Sequence, residues 1–417
     1  MGDKSDEIDC LRGLGEVEWL AGEYSSAREY YIEALSLARR LGERHGEVDS
    51  LWGLGQLEWI IGEYDQAREY HTESLKISRQ LGDPRCEVDS LRGLGHSARF
   101  CGEYEKSGDY YAEALTLARR IGYRRGEIEA LWGEGDTSLL VGAMDRSHQA
   151  HSEALSLARQ VGYRRGEVDS LRGIGHVARF FGKYDKAREH YSQALRFARQ
   201  LGYRRAEIEG TIRLGELALL VEDQAAEKYF LEGRAWARRL RHRFLEVLAL
   251  GGLGQCDRLA NRFAQAHDHF IEALTLGRLL GDRRAEASML CGLGEVAQLS
   301  GEYQRAQDYY GEALILAQQL GERPTEVSSR FGLGQVARRR GEENRARYLY
   351  EQALNLAREL GDRRNEAEIL WALGKLAAET ETTDLARKSW SAALQIYTEL
   401  GISNAATTRR SLETLGT

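Results

Sequence analysis

The residues best able to do chemistry in this sequence recur at fixed distances from one glycine. Gly15 has counterparts at Gly55, Gly95, Gly135, Gly175, Gly215, Gly254, Gly294, Gly334 and Gly374. Six positions earlier the first six units carry an acid: Asp9, Asp49, Asp89, Glu129, Asp169 and Glu209. Three before the glycine stand Arg12, Trp52, Arg92, Trp132 and Arg172; one after it, Glu16, Gln56, His96, Asp136, His176 and Glu216; four after it, Trp19, Trp59, Arg99, Leu139 and Arg179. Spacings of three, four and three put these side chains on one helix face. Tryptophan beside arginine on an exposed face is the composition of an interaction hot spot. The expected floor of a binding groove is therefore Trp19, Trp52, Trp59, Arg92, His96, Arg99, Trp132, Arg172, His176 and Arg179. Units three and five are near copies there, Asp89-Arg92-His96-Arg99-Phe100 and Asp169-Arg172-His176-Arg179-Phe180. They offer two arginines to an acidic partner segment, where units one and two offer tryptophans to an apolar or aromatic one. The competing reading is internal: an acid and an arginine three apart on a helix pair with each other, for about 0.2–0.5 kcal/mol.

Other chemistry finds little support. His148 and His151 form an HxxH pair, but no third ligand accompanies them, and His151 falls at a core position. No nucleophile–base arrangement follows from spacing. The glycine pairs such as Gly13-x-Gly15 lie inside helices and follow no strand, unlike nucleotide-binding loops. No enzyme activity, metal or cofactor is expected. A net charge of −7 gives no global pull toward nucleic acid or membrane. An inter-unit arginine ladder (Arg124-Arg125, Arg164-Arg165, Arg204-Arg205, Arg283-Arg284, Arg363-Arg364) is followed in each unit by a glutamate that can neutralise it. Changes on that ladder, at Arg284 and Arg364 for example, are expected to matter little for binding. No apolar run is long enough to span a bilayer, and Met1 to Asp9 is polar and acidic. The five cysteines show no paired spacing, which suits a reducing compartment and a cytoplasmic location.

The elements that hold these residues follow from the period. Of the nine intervals between the marker glycines, eight are 40 residues and one is 39, the mark of a solenoid. Each unit reads as two helices. In the first unit, Leu11, Leu14, Val17 and Leu20 line a helix from about Glu7 to Ala21, ended by Gly22; Ala27, Tyr31, Ala34, Leu35 and Ala38 line a second from about Tyr24 to Leu41, ended by Gly42. Both prolines, Pro84 and Pro324, fall between units. Glycine inside a helix costs roughly 0.8–1 kcal/mol relative to alanine. Packing must offset this, most simply by the close approach of a neighbouring helix.

The unit resembles the tetratricopeptide repeat (TPR) in its long form, as in kinesin light chains, Pins-type scaffolds and the sensor regions of STAND-type ATPases. The resemblance rests on Gly15, Ala27, Tyr31 and Ala34, and on later triplets such as Ala187-Tyr191-Ala194 and Ala346-Tyr350-Ala353. Ser107 and Ser147 depart from the first alanine, His71 and His151 from the aromatic. It implies an all-α superhelix of ten helix pairs plus a C-terminal capping helix. It also implies a scaffold holding a peptide or partner segment in its concave groove or, as the alternative, the sensing region of a larger STAND-type protein. The asparagine clamp of related scaffolds is missing, with Gln56, Gln255 and Gln335 as possible substitutes; the Lys/Asn carboxylate clamp of chaperone-binding repeats is also missing.

Ten units are expected over 1–401, with an irregular sixth near 205–244, where Glu222 and Arg241 replace turn glycines and one residue is lost. That unit could serve as a hinge. Residues 402–417 are expected to form a polar cap, with Ser403 as N-cap and Leu412 and Leu415 as anchors. No such element precedes the first unit, so weak end-to-end self-association, or else a further segment upstream in the natural protein, is expected.

Overall fold

The computed structural model describes residues 2–21, 23–401 and 404–414, and they form twenty-one helices with no strand among them. In chain order the pairs are α1 (Gly2–Ala21) and α2 (Tyr24–Leu41), α3 (Arg44–Ile61) and α4 (Tyr64–Leu81), α5 (Pro84–Phe100) and α6 (Tyr104–Ile121), α7 (Arg124–Leu140) and α8 (Met144–Val161), α9 (Arg164–Phe180) and α10 (Tyr184–Leu201). There follow α11 (Arg204–Leu220) and α12 (Ala226–Arg239), α13 (Arg243–Leu259) and α14 (Phe263–Leu279), α15 (Arg283–Leu299) and α16 (Tyr303–Leu320), α17 (Arg323–Arg339) and α18 (Glu343–Leu360), α19 (Arg363–Glu379) and α20 (Thr383–Leu400). A last helix, α21 (Asn404–Thr414), packs on α20. The positions assigned to Gly22, Ser403 and Leu415 lie outside the described residues.

The helical glycines make room for a ring rather than for a helix. The Tyr31 ring lies between Gly15 of its own unit and Gly53 of the next, where a Cβ would come within 3.1 and 2.6 Å of it. His71 sits the same way between Gly55 and Gly93, Tyr111 between Gly95 and Gly133, and Phe270 between Gly254 and Gly292. Each aromatic of a second helix is thus a wedge shared by two first helices. Where the next unit has no glycine at this place, as with Arg213 after Tyr191, the wedge meets a side chain instead.

The units coil so tightly that successive turns touch. A Cβ on Gly62 would lie 2.1 Å from Leu280, on Gly102 2.1 Å from Leu320, on Gly142 2.3 Å from Leu360 and on Gly182 2.2 Å from Leu400. Each leucine closes the second helix of a unit, and each glycine closes the first helix five units earlier. Around this seam Phe100 meets Phe244 edge-on at 5.2 Å, and Arg364 Nη1 donates to the Leu220 carbonyl at 3.1 Å.

The sixth unit is continuous with its neighbours. Glu222 and Arg241 take the left-handed conformation of the missing glycines, with φ of 58° and 52°. α12 is short, yet Phe230, Ala237, Leu245 and Ala249 form one core across it. On α1, Leu14 and Val17 are 45% and 61% exposed, whereas their equivalents Leu54 and Leu57 are fully buried under the preceding unit.

Candidate functional site

All ten residues expected to floor the groove lie on first helices or at their ends, but most are interior. Trp59, Arg92, His96, Arg99, Trp132, Arg172 and His176 are buried; Trp19, Trp52 and Arg179 are partly exposed. The expectation of an open row of tryptophan and arginine is corrected here, because side chains of adjacent units enclose it and the next turn of the coil rests on units two to five.

Three of the four arginines of that row, Arg92, Arg99 and Arg172, are already paired. Arg92 contacts Asp89 of its own helix and Glu129 of the next unit; Arg172 contacts Asp169 at 3.5 Å and Glu209. Arg99 meets Asp136 of the next unit, and in unit one Arg12 bridges Asp9 at 2.9 Å and Asp49 at 2.7 Å. The internal pairing read from the sequence is therefore half of the arrangement, and the other half crosses between units. Breaking one partner of such a buried pair costs about 3–5 kcal/mol, because a charge is left uncompensated. Arg92 and Arg172 thus act as struts rather than as free forks for an acidic partner.

Rings fill the space between these struts. His96 lies 5.2 Å from Trp59 and 5.4 Å from Trp132, and Arg99 and Arg172 each lie 5.4 Å over the Trp132 ring. Tyr111 and Tyr191 hydroxyls bond His96 Nδ1 and His176 Nδ1 at 2.8 and 3.0 Å. Burial and the surrounding arginines push both histidines well below the usual imidazole pKa. His151 and His71 are fully buried core wedges, lowered to about 4 and about 3 chiefly by burial, with Arg92 also acting on His71. Burial raises Asp169 to about 6 despite Arg172. Burial also opposes charge on Glu129, but Arg92 and Arg125 outweigh it and hold that carboxyl low.

Two adjoining cavities open beside this packed stretch. The larger, ≈ 420 Å³, is walled by units one to five, with Trp19, Trp52, Gln56, Arg125 and Arg165 among its residues. The second, ≈ 290 Å³, shares those five and adds Trp59, Trp132 and Arg205. Arg205 stacks 4.7 Å from the Trp59 ring centroid. The indole N–H groups of Trp52, Trp59 and Trp132 have no acceptor among the described residues. Of the three glutamines, Gln255 and Gln335 bond Glu295 and Gln298, and Gln56 lines the larger cavity.

The loop ladder divides by residue. Its first arginines stay outside and pair with the following glutamate, as in Arg124–Glu127, Arg164–Glu167 and Arg363–Glu366. Its second arginines turn inward: Arg125, Arg165 and Arg205 line the cavities above. Arg284 lines a third, and Arg364 reaches the preceding turn. Arg284 and Arg364 thus lie inside the coil rather than on its outer face. Doubled arginines in a loop were a visible signal, but the sequence does not say which of the two turns inward.

Among the described residues no cluster of three metal-ligating side chains occurs, and no helix is long and apolar enough to cross a membrane.

The tetratricopeptide repeat model matches residues 7–80, 135–200 and 285–359, more than half of the chain, so the chain belongs to the tetratricopeptide repeat family. No curated protein matches it by sequence. Among solved structures it is similar to a Rap protein complexed with Competence and Sporulation Factor, at 14% identity and a TM-score of 0.66, over 85% of this chain and 99% of that one. A STAND protein with a tetratricopeptide repeat sensor, from Pyrococcus horikoshii, aligns at 14% identity and a TM-score of 0.46, over 83% of this chain and 52% of the other. The first likeness establishes the fold; the second is too loose to carry an argument.

Proposed function

We propose that this chain is a non-enzymatic interaction scaffold that holds a peptide segment inside its first superhelical turn. The observation that carries this reading is the pair of adjoining cavities sharing Trp19, Trp52, Gln56, Arg125 and Arg165. Together they have the size and mixed lining of a ligand site. Trp19, Trp52, Trp59 and Trp132 supply apolar walls. Arg165, which makes no salt bridge among the described residues and stacks on Tyr203, is the cation for an acidic side chain. Arg92 and His96 line the second cavity, and Arg99, Arg172, His176 and Arg179 stand behind the seat and fix its shape. A partner segment with aromatic and acidic residues fits this lining. The Rap protein of similar fold, solved with Competence and Sporulation Factor, supports ligand uptake by such a coil.

The test is selection from a displayed random-peptide library against the intact chain, followed by titration of a selected peptide. Trp52→Ala and Arg165→Gln should each weaken binding at least tenfold, and Arg283→Gln on the outer surface should leave it unchanged. The reverse pattern would place the ligand on the outer edge.

A further inference from the structure

We infer that the junction between the two superhelical turns is a binding site for a compact phosphate-class anion. A cavity of ≈ 130 Å³ lies there, separate from the peptide seat although Trp132 and Arg205 touch both. Six arginines line it: Arg99, Arg172, Arg179, Arg205, Arg213 and Arg284. Only three carboxylates do so, Asp136, Glu209 and Asp282. Two more acids act from behind, Asp169 on Arg172 and Glu216 on Arg213.

The cationic surplus has specific owners. Arg179 and Arg284 make no salt bridge among the described residues. The acids nearest Arg284 are Asp282 and Glu322, and both are committed as helix caps, accepting from the Ala285 and Thr325 amides. Arg179 is engaged by the Tyr191 hydroxyl, a neutral partner, and the acid that acts on it, Asp362, is committed as a helix cap accepting from the Asn365 amide. Four of the six guanidinium groups, those of Arg99, Arg172, Arg179 and Arg213, also carry a buried Nε–H without an acceptor. Burying cations without full compensation is unfavourable unless something anionic completes the set.

The choice of anion follows from shape. Guanidinium forks approach from units three, five and six on one side and from unit eight on the other. A tetrahedral oxyanion offers acceptors in all these directions, whereas a planar carboxylate offers two oxygens in one plane. The volume admits such an ion with a few waters and excludes a peptide segment. Because Arg284 lies five units, one full turn, beyond Arg99, a bound anion would tie successive turns together.

The experiment is calorimetric titration of the full chain with inorganic phosphate and, in a second arm, methyl phosphate, against chloride at matched ionic strength. Phosphate should bind with one site per chain, and Arg284→Gln should weaken it at least tenfold while Arg283→Gln leaves it unchanged. Binding of methyl phosphate as well would assign the site to phosphomonoesters; binding of inorganic phosphate alone would assign it to the free ion. No phosphate-specific heat, or equal affinity in Arg284→Gln, overturns the proposal. Hydrogen exchange on the unaltered chain covers the case in which Arg284→Gln does not fold. Phosphate should then slow amides near 99–103 and 280–285 and leave 380–400 unchanged, and no difference between the regions counts against the site.

Discussion

Units one to five and units seven to ten end their second helices with the same kind of residue, under different loads. In the first group Leu41, Leu81, Val161 and Leu201 are 39%, 37%, 48% and 43% exposed. In the second group Leu280, Leu320 and Leu360 are 4%, 6% and 3% exposed, each seated on a glycine of the turn below. The glycines tell the same story. Gly62, Gly102, Gly142 and Gly182 need both a positive φ and empty space, because a leucine occupies the place of their Cβ. The equivalent places in later units need only the positive φ. There Gly301 and Gly341 meet nothing, and Glu222, Asn261 and Glu381 fill the other three with φ of 56–58°. One repeat sequence thus serves two roles, and position in the coil decides which.

The largest expected effect on that comparison is from truncating a seated leucine. Leu360→Ala should cost about 2–5 kcal/mol, as for other buried leucines, and should speed hydrogen exchange at Gly142. Leu81→Ala, its exposed counterpart, should stay within about 0.5 kcal/mol. Equal urea midpoints for the two variants would show that the turns do not rest on each other in solution.

A smaller effect follows from filling the receiving site. Gly102→Ala and Gly341→Ala share the penalty of a left-handed alanine, but only the first adds a clash with Leu320. The difference between them should be about 1–3 kcal/mol, the usual range for overpacking, read as a difference in urea midpoint. A zero difference would remove the steric role of the seam glycines.

The smallest effect concerns acid. His71 and His151 have folded pKa values of about 3 and about 4, below the ordinary imidazole value of 6.5, so each is held neutral in the fold. As pH falls below about 6.5 the unfolded chain takes up protons that the folded chain refuses. Stability then drops by at most about 1.4 kcal/mol per pH unit for each histidine. Asp169, raised to about 6, works in the opposite sense over part of this range. The difference between variants therefore matters more than the total. His71→Tyr with His151→Tyr, which installs the ring that units one, three and five carry, should flatten the fall in thermal midpoint between pH 7 and 5. An unchanged slope would mean that other groups control it.

The helices were legible because each unit states its own boundaries. A positive-φ turn residue and a recurring apolar stripe need no knowledge of other units, and the second helix of unit one, read as Tyr24 to Leu41, has those bounds in the structure. The seam was not legible. Gly102 and Leu320 are brought together by a small rotation per unit summed over five units, and no short spacing encodes that sum. The site falls between these cases. Asp89 and Arg92 were readable as a pair on one helix. Glu129 as the second partner of Arg92 was present as a signal too, since arginine and the next unit's acid lie 37 residues apart in Arg12–Asp49, Arg92–Glu129 and Arg172–Glu209 alike. What hid it was the convention of reading each helix face as if its neighbour were solvent. The cover over His176 and Arg213 by unit eight could not be read at all, because it depends on the same summed rotation.

The seam also bears on how such a chain can change length. Every leucine-on-glycine contact joins residues 218 positions apart, and every unit ends its second helix in an aliphatic residue or stands ready to do so. Duplicating one whole unit would slide the upper turn by one place and offer each glycine the next leucine along. Adding a few residues would leave each glycine facing a helix flank. Growth of this array is therefore quantised: the coil tolerates insertions in steps of about forty residues and resists those in between.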